Sequence, residues 1–219
     1  EISVPTGQAA RITVQDLFLR YPHLAGMTGT AASSAGELRK IYRTPVIRVP
    51  TNKPPQRVQL ADRVFGTMEA KFEAIVREIQ EVHETGRPVL VGTRSIDKSV
   101  ILSQMLEGIG IEHQVLNANN VEQEAEIVAD AGAHGKVTVA TNMAGRGTDV
   151  KLEQQIESVG GMHVICTELH DAARIDRQLI GRCGRQGDRG SYRQFLSLDD
   201  DILKGGLGPK KAERMKDQG

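Results

Sequence analysis

Strand and helix patterns alternate along the chain after about residue 61, and this alternation restricts the fold more than any other feature. The apolar run PVLVGT is typical of a strand that is buried on both faces, and KVTVATN and GMHVICT also predict strands. Between such runs lie segments with helical spacing, of which residues 69–84 are the longest. Five apolar side chains form one stripe along that segment: Phe72, Ile75, Val76, Ile79 and Val82. This order predicts an α/β fold, a three-layer domain with a mostly parallel sheet flanked by helices. In such sheets, ligands usually meet the loops at the carboxyl ends of the strands.

The proline-rich stretch VIRVPTNKPPQR separates this pattern from the residues before it. Its start, Val46–Val49, predicts a short strand, whereas Pro50, Pro54 and Pro55 exclude a central strand. We therefore predict a linker over residues 46–60 between a first segment, 1–45, and a domain over 61–205. Residues 206–219 form a polar tail.

Charge and composition point away from several functional classes. Lysine plus arginine and aspartate plus glutamate balance at 28 each, and aromatic residues make up 3% with no Trp. Neither a basic face nor a set of base-stacking rings is therefore indicated. The two cysteines suit a reducing cytosol, and no apolar run is long enough to span a bilayer. Because the chain begins EISVPTGQAA, without Met or a signal peptide, we expect it to be part of a longer protein.

Two motifs imitate binding sites. GTRSIDKS follows a strand as a phosphate-binding loop does, but Asp97 stands where the motif requires glycine before Lys98. We interpret Lys98 as ordinary helix surface. His163, Cys166 and His170 have spacings that suggest a metal site. However, His163 and Cys166 lie an odd number of residues apart on a strand and face opposite sides. A hydrogen-bonded core histidine and a buried thiol are the preferred interpretation, with no metal site.

Two glycine-rich segments carry the candidate chemistry. VTVATNMAGRGTD runs from a buried strand into a loop in which Gly145 and Gly147 let the backbone approach a ligand. By itself this segment fits a ligand-binding loop and a plain strand-loop with a structural ion pair of Arg146 and Asp149 equally well. In the second segment, DAARIDRQLIGRCGR, we predict one helix with four polar side chains near one face: Arg174, Gln178, Arg182 and Arg185.

The two arginines of GRCGR favour phosphate chemistry over a solvated basic helix. Arginine is planar, permanently charged and able to grip phosphate oxygens with two N–H groups. Glycines beside Arg182 and Arg185 would weaken a plain surface helix by about 1 kcal/mol each. We therefore interpret the pair as arginine fingers that neutralise charge on a transferring γ-phosphoryl group.

Seven segments of the chain, in this order, are informative: LAGMTGTA, PTNKP, PVLVGTRSIDKS, VLNA, VTVATNMAGRGTD, GGMHVICTELH and RIDRQLIGRCGRQGD. Together they closely resemble the SecA family of bacterial protein-export ATPases. The resemblance covers residues 12–203. The resemblance implies a RecA-like fold of the superfamily 2 helicase type. It implies that residues 1–45 end the first nucleotide-binding domain and that residues 61–205 form the second. ATP would lie between the two domains, with Mg²⁺ held mainly by parts of the first domain that this sequence lacks.

The resemblance also assigns residues. Arg182 and Arg185 resemble the finger pair, while Gln178, Asp188, Gly147 and Asp149 resemble nucleotide-binding positions. Two groups resemble elements that couple nucleotide state to domain closure, namely Gly145 with Arg146, and Thr28, Gly29 and Thr30. Cys183 and Leu169 depart from the family, which usually has Ser and Arg there; these changes are typical of a divergent SecA-like protein.

Family members drive unfolded preproteins through a SecYEG-type channel, so the implied partners are that channel, preproteins, a SecB-type chaperone and an anionic membrane surface, with no nucleic acid. The implied location is cytoplasmic, peripheral on the inner face of the plasma membrane.

The alternative function is that of the C-terminal RecA-like domain of a superfamily 2 RNA or DNA helicase, which would bind nucleic-acid strands with an affinity that falls steeply with salt. A third hypothesis is a nucleotide-binding module that does not hydrolyse ATP. Without a phosphate loop, we expect this chain alone to be inactive.

Overall fold

The computed structural model describes residues 11–116, 124–141 and 149–208. The chain divides into two compact units, Glu1–Pro50 and Thr51–Gly219. Within the described ranges, no helix is both long enough and apolar enough to cross a bilayer.

The first unit consists of short helices. Helix α1 spans Val14–Leu19, a 3-10 helix spans Ala31–Ser34, and α2 spans Ala35–Tyr42. Thr13 caps α1, because its hydroxyl accepts a hydrogen bond from the backbone N–H of Asp16 at 3.1 Å. None of the described residues in this unit is buried, so this part of the unit has no core of its own.

The strand predicted at Val46–Val49 is wrong, because these residues have no strand assignment. Ile47 and Val49 are 80% and 82% exposed. Alternating apolar residues form a strand only where a neighbouring strand can pair with them, and none does so here in the described part of the chain.

The second unit contains a seven-stranded sheet and five helices among its described residues. In chain order its elements are β1 (Gln56–Gln59), β2 (Arg63–Phe65), α3 (Met68–His83), β3 (Val89–Thr93), α4 (Ile96–Gly108), β4 (Gln114–Leu116), α5 (Glu124–Asp130), β5 (Val137–Thr141), β6 (Met162–Cys166), α6 (Ala173–Ile180), β7 (Arg189–Ser197) and α7 (Asp201–Leu207). The strand order is β1-β7-β6-β3-β5-β4, and β2 also pairs with β7. All of these pairings are parallel, which confirms the predicted α/β fold.

The two faces of the sheet build separate apolar clusters, as three layers require. On one face, Val89 and Val91 of β3 pack with side chains of α3 and α4. On the other face, Leu90 packs with Val128 of α5 and with side chains that border α6. Strand residues alternate between faces, so an apolar run without polar interruptions fills both layers.

The helical stripe predicted over residues 69–84 is confirmed by α3. Thr67 caps this helix, since its hydroxyl accepts from the backbone N–H of Ala70 at 3.2 Å. Four of the five predicted apolar side chains are buried: Phe72, Ile75, Val76 and Ile79. Val82 packs against the same cluster while only partly buried.

Buried polar groups connect the helices to the sheet, and for Lys98 the sequence-based prediction was wrong. Lys98 of α4 is not ordinary helix surface, because its ammonium group pairs at 2.6 Å with Glu168, whose side chain is 2% exposed. The sequence pattern of α4 did not reveal this, since Glu168 lies 70 residues away in the chain. Lys98 thus has a buried structural partner within the fold.

His163 is the hydrogen-bonded core histidine that its spacing predicted. Its side chain is fully buried, with Nδ1 at 2.8 Å from the Ser191 hydroxyl and Nε2 at 2.9 Å from Glu78 Oε1. Cys166 lies on the opposite face of β6, in the cluster that contains Leu90. Burial raises the pKa of the Cys166 thiol above its usual range, as expected for a packing thiol rather than a reactive one.

Candidate functional site

The segment between α6 and β7 holds both arginines of the GRCGR motif, and we call residues 181–188 the arginine loop. The prediction that one helix carries Arg174 through Arg185 is wrong, because α6 ends at Ile180. A short 3-10 helix, Arg185–Gly187, follows. Three glycines in eight residues explain the early end, since glycine gives up more backbone entropy in a helix than any other residue.

Two glycines of the arginine loop are required by its geometry. Gly184 and Gly187 have φ angles of 64° and 85°, in the left-handed region that favours glycine. A Cβ at Gly184 would lie 2.8 Å from the Cβ of Arg57, and one at Gly187 would lie 2.8 Å from the Cβ of Lys53. The loop backbone therefore passes too close to its neighbours for a side chain at either position.

The arginine loop lies over the amino ends of β6 and β7, not at the carboxyl edge where ligands were expected. A Cβ on Gly190, near the start of β7, would lie 3.0 Å from the backbone nitrogen of Gly184 and 3.2 Å from the carbonyl oxygen of Met162, the first residue of β6. The physical reason is the crossover itself. Helix α6 carries the chain back from the carboxyl end of β6 to the amino end of the parallel neighbour β7.

Arg185 contacts Asp149, and the structure thus brings two predicted site residues together across 36 residues of sequence. One end of the guanidinium, Nη1, pairs with Asp149 Oδ1, while Nε donates to the carbonyl oxygen of Gly181 at 2.8 Å. The two side chains of the pair are 37% and 51% exposed. An ion pair this exposed contributes roughly 0–1 kcal/mol, so a phosphate group can displace the carboxylate at little cost.

Three other predicted residues of this motif lie in the arginine loop or in the last turn of α6. Arg182 follows the last turn of α6, with its backbone N–H donating to Leu179 at 2.9 Å, and its side chain is half-buried. Asp188 is also half-buried and ends the 3-10 helix, where its N–H donates to the carbonyl oxygen of Arg185 at 2.9 Å. Gln178 lies on the exposed side of α6, one turn before the arginine loop.

Side chains of β1 hold the backbone of the arginine loop, and sequence analysis missed them. Arg57 Nη1 donates to the carbonyl oxygens of Ile180 and Cys183, at 3.3 and 3.1 Å. Gln56 Nε2 donates to the carbonyl oxygen of Gly187 at 2.7 Å. The prolines just before these residues led to a linker interpretation, although the alternation in QRVQL is also typical of an edge strand.

Cys183 is a packing residue between the two arginines. Burial raises the pKa of its thiol to about 11, while the charges of Arg57 and Arg87 oppose the shift. The thiol is therefore protonated at neutral pH and joins the apolar cluster beneath the loop. A small side chain meets this packing requirement, which fits the resemblance to a family that usually has Ser here.

Six further predicted positions lie outside the described residues or in the first unit. Gly145, Arg146 and Gly147 lie outside the described residues. Thr28, Gly29 and Thr30 belong to the first unit, where the Thr28 hydroxyl accepts from the backbone N–H of Thr30 at 3.2 Å. As for metals, the described residues bring together no group of three or more His, Cys, Asp or Glu side chains that would hold an ion.

Two family profiles match this chain. The SecA P-loop domain matches residues 54–158 and 151–218, and the SecA DEAD-like domain matches residues 1–39. Together these matches extend over both units of the chain.

Individual relatives agree with the profiles. A protein from Rhodopirellula baltica, "Protein translocase subunit SecA 2", is 81% identical over 219 residues, which is 100% of this chain and 33% of the relative. "Protein translocase subunit SecA" from Syntrophus aciditrophicus is 55% identical over 195 residues, or 89% of this chain and 23% of the relative. The chain thus spans about a third or less of the length of these curated relatives.

Among solved structures, the Escherichia coli DEAD-box protein SrmB, bound to regulator of ribonuclease activity A, superposes with a TM-score of 0.53. The identity is 22%, and the match covers 73% of this chain and 87% of that one. This likeness shows the fold alone, and it agrees with the predicted three-layer RecA-like architecture.

Proposed function

The chain belongs to the SecA family, and from that premise we propose that it is part of an ATP-driven protein translocase motor. In this proposal, residues 61–205 form the second nucleotide-binding domain and residues 1–45 end the first one. Residues 46–60 link them, and strand β1 within this linker pairs with β7 of the second domain. The polar tail at 206–219 follows. Family membership over most of the chain supports this assignment.

The observation that carries the proposal is the setting of Arg185. Its guanidinium is partly exposed, donates to the Gly181 carbonyl and pairs with the exposed carboxylate of Asp149. We propose that ATP binding draws Arg185 and Arg182 onto the γ-phosphate, where they neutralise charge that builds up as the phosphoryl group is transferred. Asp188, Gln178, Asp149 and Gly147 are proposed to contact the nucleotide.

The remaining parts of the motor are also proposals. Gly145 and Arg146 in one domain, and Thr28, Gly29 and Thr30 in the other, would couple the nucleotide state to domain closure. Mg²⁺ would be held mainly by the first domain. The motor would act on unfolded preproteins at a SecYEG-type channel, receive some of them from a SecB-type chaperone, and bind the inner face of the plasma membrane from the cytoplasm.

Replacement of Arg185 tests this function. In the full-length protein, we expect Arg185→Ala to lower kcat for ATP hydrolysis about a thousandfold, because a finger stabilises the transition state more than bound ATP. Arg185→Lys should not restore the rate, since an ammonium group lacks the planar fork. Steady-state ATPase assays measure both variants.

The matched control is Arg77→Ala, which removes an exposed arginine from α3. Its turnover should equal that of the unchanged protein. If Arg185→Ala also turns over at the unchanged rate, Arg185 is not a finger and the proposal fails.

A further inference from the structure

Two residues of edge strand β1, Gln56 and Arg57, contact the arginine loop. Gln56 and Arg57 pair in parallel register with Arg189 and Gly190, the first residues of β7. The loop ends at Asp188, directly before β7, so it lies next to the start of β1 in the sheet. The side chains of β1 are consequently placed to act on the loop that carries Arg182 and Arg185.

Arg57 contacts the loop at its entry. Its Nη1 donates to the carbonyl oxygen of Ile180, the last residue of α6, and to that of Cys183 in the loop itself. Carbonyls at a helix C-terminus lack intrahelical partners and carry the negative end of the helix dipole, so a guanidinium stabilises them with both charge and hydrogen bonds. Arg57 thereby caps α6 from a different element and fixes where the loop departs.

Gln56 contacts the loop at its exit. Its side-chain amide donates to Gly187 at 2.7 Å, one residue before Asp188. Between the two contact points, the backbone of Gly184 rests on Arg57 itself, since an added Cβ there would meet the Cβ of Arg57 at 2.8 Å. The segment that contains Arg185 is thus held at both ends by two neighbouring residues of one strand.

Arg57 forms no salt bridge among the described residues, so charge pairing does not account for its position. Its side chain is exposed, and among the ion pairs of the described residues none includes Arg57. Its hydrogen bonds go to backbone carbonyls of the segment that positions the arginines. Because its described hydrogen bonds go to backbone carbonyls at the loop, Arg57 holds the loop in place rather than packing in the core.

We infer that Arg57, assisted by Gln56, is a positioning residue that holds the arginine loop in the geometry that ATP hydrolysis requires. Arg57 touches no nucleotide in this role, and it acts through the backbone that presents Arg182 and Arg185. The inference rests on the proposed function, because the loop must deliver fingers for its position to matter.

The test measures turnover and loop order in the same full-length variants. In Arg57→Met, we expect kcat to fall about ten- to a hundredfold with KM for ATP within twofold, since a loop misplaced by about 1 Å loses transition-state contacts rather than ground-state binding. Amide hydrogen exchange over residues 181–188 should become about tenfold faster, while exchange in β3 and β6 stays unchanged.

A conservative variant separates positioning from general destabilisation. Both Arg57 bonds come from one nitrogen, so a lysine ammonium can supply them, and Arg57→Lys should recover most of the lost kcat and slow the loop exchange again. Gln56→Leu should produce the same two changes on a smaller scale. Arg77→Ala should leave both readouts at their original values.

Unchanged kcat and loop exchange in Arg57→Met would overturn the inference, and so would exchange that accelerates equally in β3 and β6. Faster loop exchange without rescue by Arg57→Lys would likewise count against it. The proposed function is judged separately by Arg185→Ala. If that variant keeps full turnover, the finger role fails, whereas the exchange rates still report whether Arg57 holds the loop.

Discussion

Glu78 shows how one buried carboxylate organises several elements. It accepts from Nε2 of His163 at 2.9 Å, pairs with Nη1 of Arg193, and lies 3.8 Å from Nη2 of Arg63. Burial by itself would raise the pKa of Glu78, but the hydrogen bond from His163 and the charges of His163 and Arg193 outweigh it and lower the pKa below the usual value. The carboxylate is therefore ionised and paired in the folded protein.

Acid should remove this stabilisation. Because the folded pKa of Glu78 lies below its unfolded value of 4.5, the contribution is complete above about pH 4.5 and is lost as the pH falls through the folded pKa. At pH 7, Glu78→Gln should lower the free energy of unfolding by about 3 kcal/mol, since it leaves Arg193 without its partner. Urea unfolding from pH 7 down to pH 3.5 measures the difference, which should shrink below pH 4.5. A difference that stays constant with pH would contradict this assignment.

Gly184 is the residue at which backbone conformation most restricts the candidate site. Gly184→Ala should lower the free energy of unfolding by roughly 1–2 kcal/mol from the left-handed φ alone, and contact with Arg57 adds to this loss. The control is Gly108→Ala at the end of α4, where an added Cβ meets no atom within 4 Å. That variant should be neutral or slightly more stable. Thermal unfolding compares the two, and equal losses of stability would show that crowding at Gly184 is unimportant.

Among the elements, α3 and α4 are attached to the sheet by buried charges as well as by apolar packing. Lys71 of α3 donates to the carbonyl oxygen of Thr167 at 2.8 Å and pairs with Asp200 just before α7. Burial lowers the pKa of Lys71, although the hydrogen bond and charge of Asp200 oppose the shift. Lys98 of α4 reaches Glu168 in the same region, directly beyond β6. Lysine–carboxylate pairs thus lie beyond the carboxyl ends of β6 and β7.

Replacing one member of such a pair should lower the free energy of unfolding more than replacing both members. Lys98→Met leaves the Glu168 carboxylate buried without its cation, and we expect a loss of about 3 kcal/mol in the free energy of unfolding. The double variant Lys98→Met with Glu168→Leu should recover much of this loss, because no buried charge is then unpaired. Urea unfolding of the single and double variants measures both values. A double variant less stable than the single one would show that the pair itself is strongly stabilising.

Element boundaries explain why the arginine loop differs from its prediction. The periodicity of Arg174, Gln178, Arg182 and Arg185 is helical, yet α6 stops at Ile180. The two arginines are instead presented by a loop that packs on β1 and β7. A three- or four-residue spacing is found on one face of an α-helix and also in short 3-10 turns. The spacing alone therefore does not show whether these residues lie in a helix or in a glycine-rich loop.

At the scale of the whole molecule, the chain consists of a first unit without a described core and a second unit with a complete sheet. The candidate fingers belong to the second unit, and the described residues bring together no metal-binding group. If the motor works as proposed, the groups that bind phosphate and Mg²⁺ come from another domain. ATP hydrolysis would then require more than these 219 residues.

The 219-residue chain by itself should therefore show no ATP turnover above background, whereas the full-length protein should hydrolyse ATP if the proposal holds. A steady-state phosphate-release assay at matched concentrations measures this. Turnover by the shorter chain that disappears in Arg185→Ala would mean that the complete catalytic site lies within it. A helicase role would instead appear as RNA or DNA binding that weakens steeply with salt.

Local patterns were sufficient for the α/β class, for α3 and its buried stripe, and for the core position of His163, because periodicity and strand register act over a few residues. Folding over longer distances set the pair between Lys98 and Glu168, the meeting of Arg185 with Asp149, and the hold of Arg57 on the arginine loop. Those contacts join residues 36 to 126 positions apart, and they depend on which strands become neighbours in the sheet. Sheet order follows from the packing of all layers at once, and no short segment encodes it.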